Sequence, residues 1–202
     1  MRLVLASGSL RRARLLDQLG LEFEVEPSQV DETRLPDEAP AAHVERLARE
    51  KSLAPLAPDA VVVAADTLIV HEGSMLGKPA HPEEARSMLR RLQAETHQVF
   101  TGLAVSAIEG SSPVTHSDVD VTRVAMLPMT EEEIDAYVSS GEPMDKAGAY
   151  ALQGTGGIFV ESVHGSPYTV IGLPIHLLPG LLARVGAGLE DFRSPASGRM
   201  VN

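Results

Sequence analysis

Apolar positions recur along this chain with two different spacings. Continuous or alternating apolar runs, which are typical of strands, lie at residues 2–6, 60–65, 97–108, 113–125, 158–163 and 168–171. The run Ala60–Ala65 is the most uniformly apolar of these and is typical of a strand at the centre of a sheet. The periodicity as a whole indicates about seven strands.

Apolar residues at helical spacing predict helices over about 10–19, 38–54, 82–92, 131–139 and 174–185. Ser9 is placed to cap the first helix, and Gly20 is placed to end it. Thr130 and Glu133 form a capping-box pattern at the fourth helix. Pro179 predicts a kink or a late start in the last one.

The mixture of strands and helices predicts an α/β (α+β) protein with a single domain over residues 1–185. Residues 186–202 have little apolar character and no period, so we expect a flexible C-terminal tail there.

Composition excludes several classes of protein. The chain has 202 residues and no cysteine, which excludes disulfides, thiolate zinc sites and a cysteine nucleophile. No apolar run approaches the ~18 residues of a membrane span. The net charge of −11 argues against binding to a nucleic-acid backbone. We therefore expect a cytoplasmic protein that binds neither nucleic acid nor membranes, and any bound anion must be held by a local basic cluster.

Candidate cations are few and distinctive. Only three basic residues are lysines, and Lys78 stands out among them because Gly77 and Pro79 fix the backbone around it. Arg11 and Arg12 lie in the first turn of the first predicted helix, where the helix dipole disfavours cations unless a negative group offsets it. Solvated surface side chains are the alternative interpretation for each of these residues.

Two other segments suggest anion and metal chemistry. The turn Ser7-Gly8-Ser9 joins a strand to a helix, an arrangement that directs backbone N–H groups at an anion. Asp66 ends the apolar strand, where α/β enzymes often place a metal ligand or a general base, although an acid there could also cap a turn. Asp31 and Glu32 are adjacent carboxylates in a polar segment.

Six segments together resemble the Maf family of nucleoside triphosphate pyrophosphatases. They occur in the same order and at similar spacing over nearly the whole chain, and they are 6–12 (ASGSLRR), 46–51 (RLAREK), 65–67 (ADT), 77–79 (GKP), 145–154 (DKAGAYALQG) and 170–174 (VIGLP). The chain departs from the family at Leu10, where the family usually has proline; the first position of a helix tolerates either residue.

The resemblance implies an activity and a set of site residues. The family cleaves between the α- and β-phosphates with a divalent metal, Mg²⁺ or Mn²⁺. Asp66 would then be the general base or a metal ligand, with Glu32 as the second carboxylate for the metal. The residues implied to bind the phosphates are Ser7, Ser9, Arg12, Lys51 and Lys78. A mixed, twisted sheet, two lobes flanking a central cleft and a homodimer are likewise implied.

Three positions distinguish the substrate branches of this family. Here they hold Arg11, Thr67 and Gln153, a combination that resembles the branch acting on thymidine and uridine triphosphates. A glutamine amide offers both a donor and an acceptor, which suits the edge of a pyrimidine base, although it could instead satisfy nearby backbone groups. The alternatives are the branch acting on 7-methylguanosine triphosphate and a nucleotide-binding regulator of septum formation in which hydrolysis is incidental.

Overall fold

The strands of the protein belong to one seven-stranded sheet. A computed structural model describes residues 1–193. Its strands are β1 (Arg2–Leu5), β2 (Glu24–Val25), β3 (Ala60–His71), β4 (Ser74–Leu76), β5 (Thr96–Glu109), β6 (Ser112–Met126) and β7 (Val160–His164). Their order in the sheet is β2-β1-β3-β5-β6-β7, and β4 pairs with β3 outside this path.

Six α-helices accompany the sheet in the described part of the chain. They are α1 (Leu10–Gln18), α2 (Pro40–Leu53), α3 (Pro82–Leu92), α4 (Glu131–Ser139), α5 (Pro167–Ile171) and α6 (Leu178–Arg184). Short 3₁₀ turns lie at Glu142–Asp145, Ala147–Ala149, Thr155–Phe159 and Leu189–Phe192. None of the helices within residues 1–193 has the length and apolar character needed to cross a membrane.

Strand pairing in the sheet is mixed. β1 pairs in parallel with both β2 and β3, and Val4 lies opposite Val62. β4 runs antiparallel to β3, and β7 runs antiparallel to β6. The predicted α+β class with a mixed sheet is therefore confirmed.

The apolar run of β3 follows from its place in the sheet. β3 lies between β1 and β5, and its residues from Ala60 to Asp66 are all buried. A strand that is covered on both faces excludes water from every side chain, so alternation of polar and apolar residues disappears.

The chain divides into two compact units. Among the described residues, the first comprises Met1–Asp66, Gly102–Val119 and residues 172–193, and the second comprises Thr67–Thr101 and Asp120–Ile171. Three of the four boundaries fall within β3, β5 and β6, and the fourth falls at the end of α5.

A close approach of helix to strand shapes the first unit. A Cβ atom at Gly102 on β5 would lie 2.4 Å from the backbone carbonyl oxygen of Val44 on α2. Only glycine allows this approach. One face of α2, including Val44, Leu47 and Ala48, is buried.

The core of the second unit contains residues of α3 and α4. Leu89 and Leu92 of α3 are fully buried, and they belong to the same apolar cluster as Ile134 and Val138 of α4. The Thr130–Glu133 capping box at the start of α4 is present, as predicted. Its two reciprocal hydrogen bonds satisfy backbone N–H groups that the helix leaves unpaired.

Several other local predictions are confirmed. The Ser9 side chain accepts a hydrogen bond from the backbone N–H of Arg12 at the start of α1. Gly20, just beyond α1, has a φ of 71°, the left-handed conformation that favours glycine after a helix. α6 begins at Leu178 with Pro179 in its first turn, the late start that the proline predicts.

The strand predicted over 168–171 is wrong, since these residues belong to helix α5. Pro167 has the fixed φ that suits the first position of a helix. The N–H of Thr169 bonds to the carbonyl of Ser166 at 3.2 Å, which closes a helical turn. β7 therefore pairs with β6 and not with residues 168–171.

The flexible tail predicted over 186–202 requires a correction for residues 186–193. Phe192 is buried, and its carbonyl accepts a hydrogen bond from the N–H of Glu22 at 2.7 Å. Arg193 forms an antiparallel bridge with Leu21. Burial of the Phe192 ring holds this segment to the first unit despite its polar composition. Residues 194–202 lie outside the described part of the chain.

Candidate active site

The turn between β1 and α1 gathers two serines and an arginine. The Ser7 hydroxyl is buried and accepts hydrogen bonds from the N–H of Ser9 at 3.2 Å and from Arg12 Nη1 at 3.1 Å. Arg12 Nε donates to the carbonyl of Gly172 at 2.7 Å. The N-terminus of α1 and the Arg12 guanidinium therefore lie together beside Ser7, as an anion-binding turn requires.

Arg12 is in the electrostatic field of both predicted carboxylates. Burial lowers the pKa of the Arg12 guanidinium, the charge of Asp66 opposes this, Arg11 adds to the lowering, and Glu32 also opposes it. An arginine remains charged under such a shift. The negative groups that offset Arg12 in the first turn of α1 are therefore Asp66 and Glu32.

Lys51 lies between the same two carboxylates. Its Nζ is 2.6 Å from Asp66 Oδ1 and 2.6 Å from Glu32 Oε1. Lys51 and Asp66 are 8% and 9% exposed, whereas the Glu32 side chain is 54% exposed. The pair of carboxylates is thus open to solvent on the Glu32 side and closed on the Asp66 side.

This donor set suits a hard cation. Glu32 and Asp66 each place one carboxylate oxygen beside the Lys51 ammonium, and no group of three or more His, Cys, Asp or Glu side chains able to hold a metal is found among residues 1–193. Mg²⁺ takes one or two protein carboxylates and completes its shell with waters and substrate phosphates. The residues present therefore fit Mg²⁺ or Mn²⁺.

In the second unit, Thr67 is held by a chain of hydroxyl bonds. Thr101 Oγ1 donates to the carbonyl of Thr169 at 2.8 Å, and Thr67 Oγ1 lies 3.0 Å from Thr101 Oγ1. A hydroxyl has one proton to donate, so Thr67 is the donor in its bond with Thr101. The Thr67 oxygen is therefore oriented as an acceptor toward any further partner.

The segment that contains Lys78 adjoins the segment that contains Gln153. The N–H of Gly148 donates to the carbonyl of Gly77 at 3.0 Å. Gly148 has a φ of 68°, and a Cβ there would lie 2.4 Å from Ile69 Cδ1, so glycine is required. Lys78 is exposed and forms no hydrogen bond or ion pair with any described side chain or backbone group.

Gln153 is exposed, and it lies in a segment that other residues hold in place. The carboxylate of Glu142 accepts backbone N–H groups of Thr155 and Gly156, each at 3.0 Å. The Tyr137 hydroxyl accepts the N–H of Ala151 at 3.2 Å. The Gln153 side chain has no hydrogen bond to the rest of the described chain.

The structure brings most of the predicted phosphate and metal residues together. The first unit contains seven of them, which are Ser7, Ser9, Arg11, Arg12, Glu32, Lys51 and Asp66. The second unit contains Thr67, Lys78 and Gln153. Lys146, the third lysine, is buried and bonds to the carbonyl of Glu142 at 2.6 Å.

Sequence reasoning missed Thr101, Tyr137 and Glu142. Their importance arises from contacts with residues far along the chain or across a loop, for which no local pattern exists. For Glu142 the one available signal is its position three residues before the motif 145–154.

Comparisons with known proteins agree with the resemblance. The sequence profile described as Maf-like protein matches residues 2–185. A dTTP/UTP pyrophosphatase of Anaeromyxobacter dehalogenans (strain 2CP-C) is 50% identical over 185 residues, covering 92% of this chain and 94% of that protein. A dTTP/UTP pyrophosphatase of Vibrio cholerae is 46% identical over 90% of this chain and 96% of that protein. A dTTP/UTP pyrophosphatase of Moorella thermoacetica is 47% identical over 92% of this chain and 95% of that protein. The chain belongs to the Maf family.

Proposed function

We propose that this protein hydrolyses dTTP and UTP to the nucleoside monophosphate and pyrophosphate. The observation that carries the proposal is the contact of buried Lys51 with both the buried Asp66 and the exposed Glu32, near Arg12. Relatives that are 46% to 50% identical over nearly their whole length are named for this activity.

The first unit has the chemistry that a triphosphate needs. A nucleoside triphosphate carries about four negative charges near neutral pH, so the protein must present cations despite its net charge of −11. Arg12 offers a planar fork and Lys51 a compact ammonium, and both suit phosphate oxygens. Ser7, Ser9 and the first N–H groups of α1 add neutral donors.

Asp66 is the proposed catalytic residue. Glu32 and Asp66 would hold the divalent cation, which when bound supplies charge neutralisation on the phosphates and lowers the pKa of water. As base or as ligand, Asp66 must be ionised. Its Oδ1 lies 2.6 Å from the Lys51 ammonium.

Residues of the second unit are proposed to contribute charge and base selection. Lys78 is the proposed additional phosphate ligand, since this lysine is exposed. Gln153 and Thr67 are the proposed base-reading residues, since an amide and an oriented hydroxyl can match the N3–H and carbonyl groups of uracil and thymine. Arg11, in the first unit, is the third residue proposed to distinguish the substrate.

The experiment that tests this function is an assay across nucleotides with product identification. With Mg²⁺ or Mn²⁺, the purified protein should release pyrophosphate and a monophosphate from dTTP and UTP faster than from CTP, the purine triphosphates or 7-methyl-GTP. Release of orthophosphate and a diphosphate, or fastest cleavage of a purine substrate, would contradict the proposal.

Two further expectations are part of the same proposal. We propose that the protein acts as a homodimer in the cytoplasm and has no nucleic-acid partner. Sedimentation at assay concentration measures the first, and a strictly monomeric active enzyme would contradict it.

A further inference from the structure

The carboxylate of Glu142 accepts several hydrogen bonds from the loop that contains Gln153 and from its surroundings. Glu142 Oε1 accepts from the Tyr137 hydroxyl at 2.9 Å and from the N–H of Gly156 at 3.0 Å, and Oε2 accepts from the N–H of Thr155 at 3.0 Å. Charge-assisted bonds of this kind are about twice as strong as neutral ones. The C-terminal side of Gln153 is therefore fixed to Glu142.

The N-terminal side of Gln153 is fixed through Tyr137. The Tyr137 hydroxyl donates to Glu142 and accepts from the N–H of Ala151 at 3.2 Å, so one hydroxyl links the carboxylate to the start of the loop. Tyr137 is 3% exposed, and its ring packs against Phe159. Gln153 thus lies between two anchored backbone positions.

Two glycines of the loop, Gly154 and Gly156, allow its backbone to approach Glu142 and Tyr137 closely. Gly154 has a φ of 121°, and a Cβ there would lie 2.8 Å from Glu142 Oε2. A Cβ at Gly156 would lie 2.3 Å from the Tyr137 hydroxyl oxygen. The backbone can close onto Glu142 and Tyr137 only because neither position has a side chain.

Glu142 is itself well held and ionised. Its backbone N–H donates to Ser140 Oγ at 3.2 Å, and its carbonyl accepts from Lys146 Nζ at 2.6 Å. Burial raises the pKa of Glu142, but the N–H groups of Gly156 and Thr155 and the Tyr137 hydroxyl outweigh this and hold the pKa below its ordinary value. The carboxylate is therefore available as an acceptor at neutral pH.

We propose that Glu142, together with Tyr137, is a positioning residue that sets base selectivity by fixing the backbone from which Gln153 meets the base. The inference rests on the proposed function. An amide can discriminate a uracil edge from a cytosine edge only when its position is fixed, because a mobile loop lets the amide adapt to either pattern. Neither residue is required to touch the substrate.

The test compares UTP with CTP as substrates of Glu142→Gln. This variant keeps the size of the side chain but places an NH₂ group against backbone N–H donors. We expect the ratio of kcat/KM for UTP to that for CTP to fall by about threefold to tenfold, the effect of one hydrogen bond. The KM for UTP should rise, whereas inhibition by inorganic pyrophosphate, which has no base, should be unchanged.

Controls separate positioning from a loss of stability. Glu133→Gln is the matched variant, because Glu133 also accepts a backbone N–H, that of Thr130 at 2.8 Å, without contacting the loop; its UTP to CTP ratio should equal that of the wild type. In a Gln153→Ala background, Glu142→Gln should not change the ratio further. Tyr137→Phe should lower the ratio in the same direction and serves if Glu142→Gln does not fold.

The outcomes distinguish this inference from the proposed function. A wild-type protein with no preference for UTP over CTP overturns the proposed function. A wild-type preference that Glu142→Gln and Tyr137→Phe leave intact overturns the inference alone. An equal loss of activity on both nucleotides, or a change of ratio that persists without Gln153, also overturns it.

Discussion

Lys51 is a charged residue on the buried face of a helix, and its surroundings explain its chemistry. It follows Val44, Leu47 and Ala48 at helical spacing, so α2 directs its side chain inward with the apolar ones. A buried ammonium is costly unless it is paired. Asp66 and Glu32 supply that pairing, and the same contact makes the carboxylates tolerable near one another.

Removal of the Lys51 ammonium should therefore lower both activity and stability. Lys51→Met leaves Asp66 buried beside Glu32 with no ammonium between them. We expect a loss of about 2–3 kcal/mol of unfolding free energy, at or below the lower end for a broken buried pair because Glu32 is exposed. Urea unfolding measures this loss. Adding Asp66→Asn to Lys51→Met should restore part of the stability but no activity; a double variant less stable than Lys51→Met would contradict the pairing.

A second buried residue, His97, makes the stability of the protein depend on pH. His97 is 2% exposed, and its Nε2 lies 2.8 Å from the Tyr150 hydroxyl. Burial, and then the charge of His71, lower the pKa of His97 from 6.5 to about 4. The fold thus favours neutral His97, so its contribution to stability is full above about pH 6.5 and is lost as the pH falls toward 4.

The variant His97→Gln should remove this dependence. Between pH 7 and pH 5 the wild type should lose about 2 kcal/mol more unfolding free energy than His97→Gln does. Urea unfolding at the two pH values gives the difference, and His164→Gln, at an exposed position of β7, is the control. Equal losses in the wild type and His97→Gln would show that His97 is not the group responsible.

At the scale of the elements, the placement of α2 on β5 determines where Lys51 lies. The contact exists only because residue 102 has no Cβ. Gly102→Ala would set a carbon 2.4 Å from the Val44 carbonyl oxygen, which belongs to backbone that cannot rotate away. The helix would have to shift relative to the strand that it covers.

Gly102→Ala is therefore expected to be destabilising by about 1–3 kcal/mol and to reduce activity through the displacement of α2. Thermal unfolding and a pyrophosphate-release assay measure the two effects. Gly180→Ala in α6 is the matched control, because no atom lies within 4 Å of its Cβ and helix propensity favours alanine. Equal melting temperatures for the wild type and Gly102→Ala would be incompatible with the close approach.

The elements also show what the sequence could and could not reveal. The Ser9 cap, the Thr130–Glu133 box and the apolar run of β3 were predictable because each depends on neighbouring residues or on one strand's burial. The helix at Pro167–Ile171 was not, since a short apolar run fits either structure until its partners are known. The segment 186–193 was mistaken for a tail because one buried ring, Phe192, gives no periodic signal.

The same distinction applies to the site. The burial of Asp66 was predictable from its place in an apolar strand, and the position of Ser7 and Arg12 at the start of α1 from a strand–turn–helix pattern. The joint contact of Lys51 with Glu32 and Asp66 links three separate segments of the chain, so only the resemblance pointed to it. Glu142 was not predicted, because its bonds cross a loop whose conformation depends on two glycines.

The whole molecule has a net charge of −11, so it repels a polyanionic substrate at long range. Binding must come from short-range cations, and Arg12 and Lys51 are held where the carboxylates of Asp66 and Glu32 offset them. This balance of charges suits a site that receives a phosphate chain and a divalent cation together. The phosphates would face the arginine and lysine, and the cation would face the two carboxylates.

The most direct test of the central claim is pyrophosphate release from dTTP and UTP, with Mg²⁺, by the wild type and Asp66→Asn. The carboxylate is isosteric with the amide, so the fold should persist while the rate falls by about a hundredfold to ten-thousandfold. Asp31→Asn, at an exposed carboxylate beside Glu32 that bonds to the Thr33 N–H at 2.9 Å, should retain the wild-type rate. A folded Asp66→Asn protein that cleaves dTTP as fast as Asp31→Asn would contradict the account.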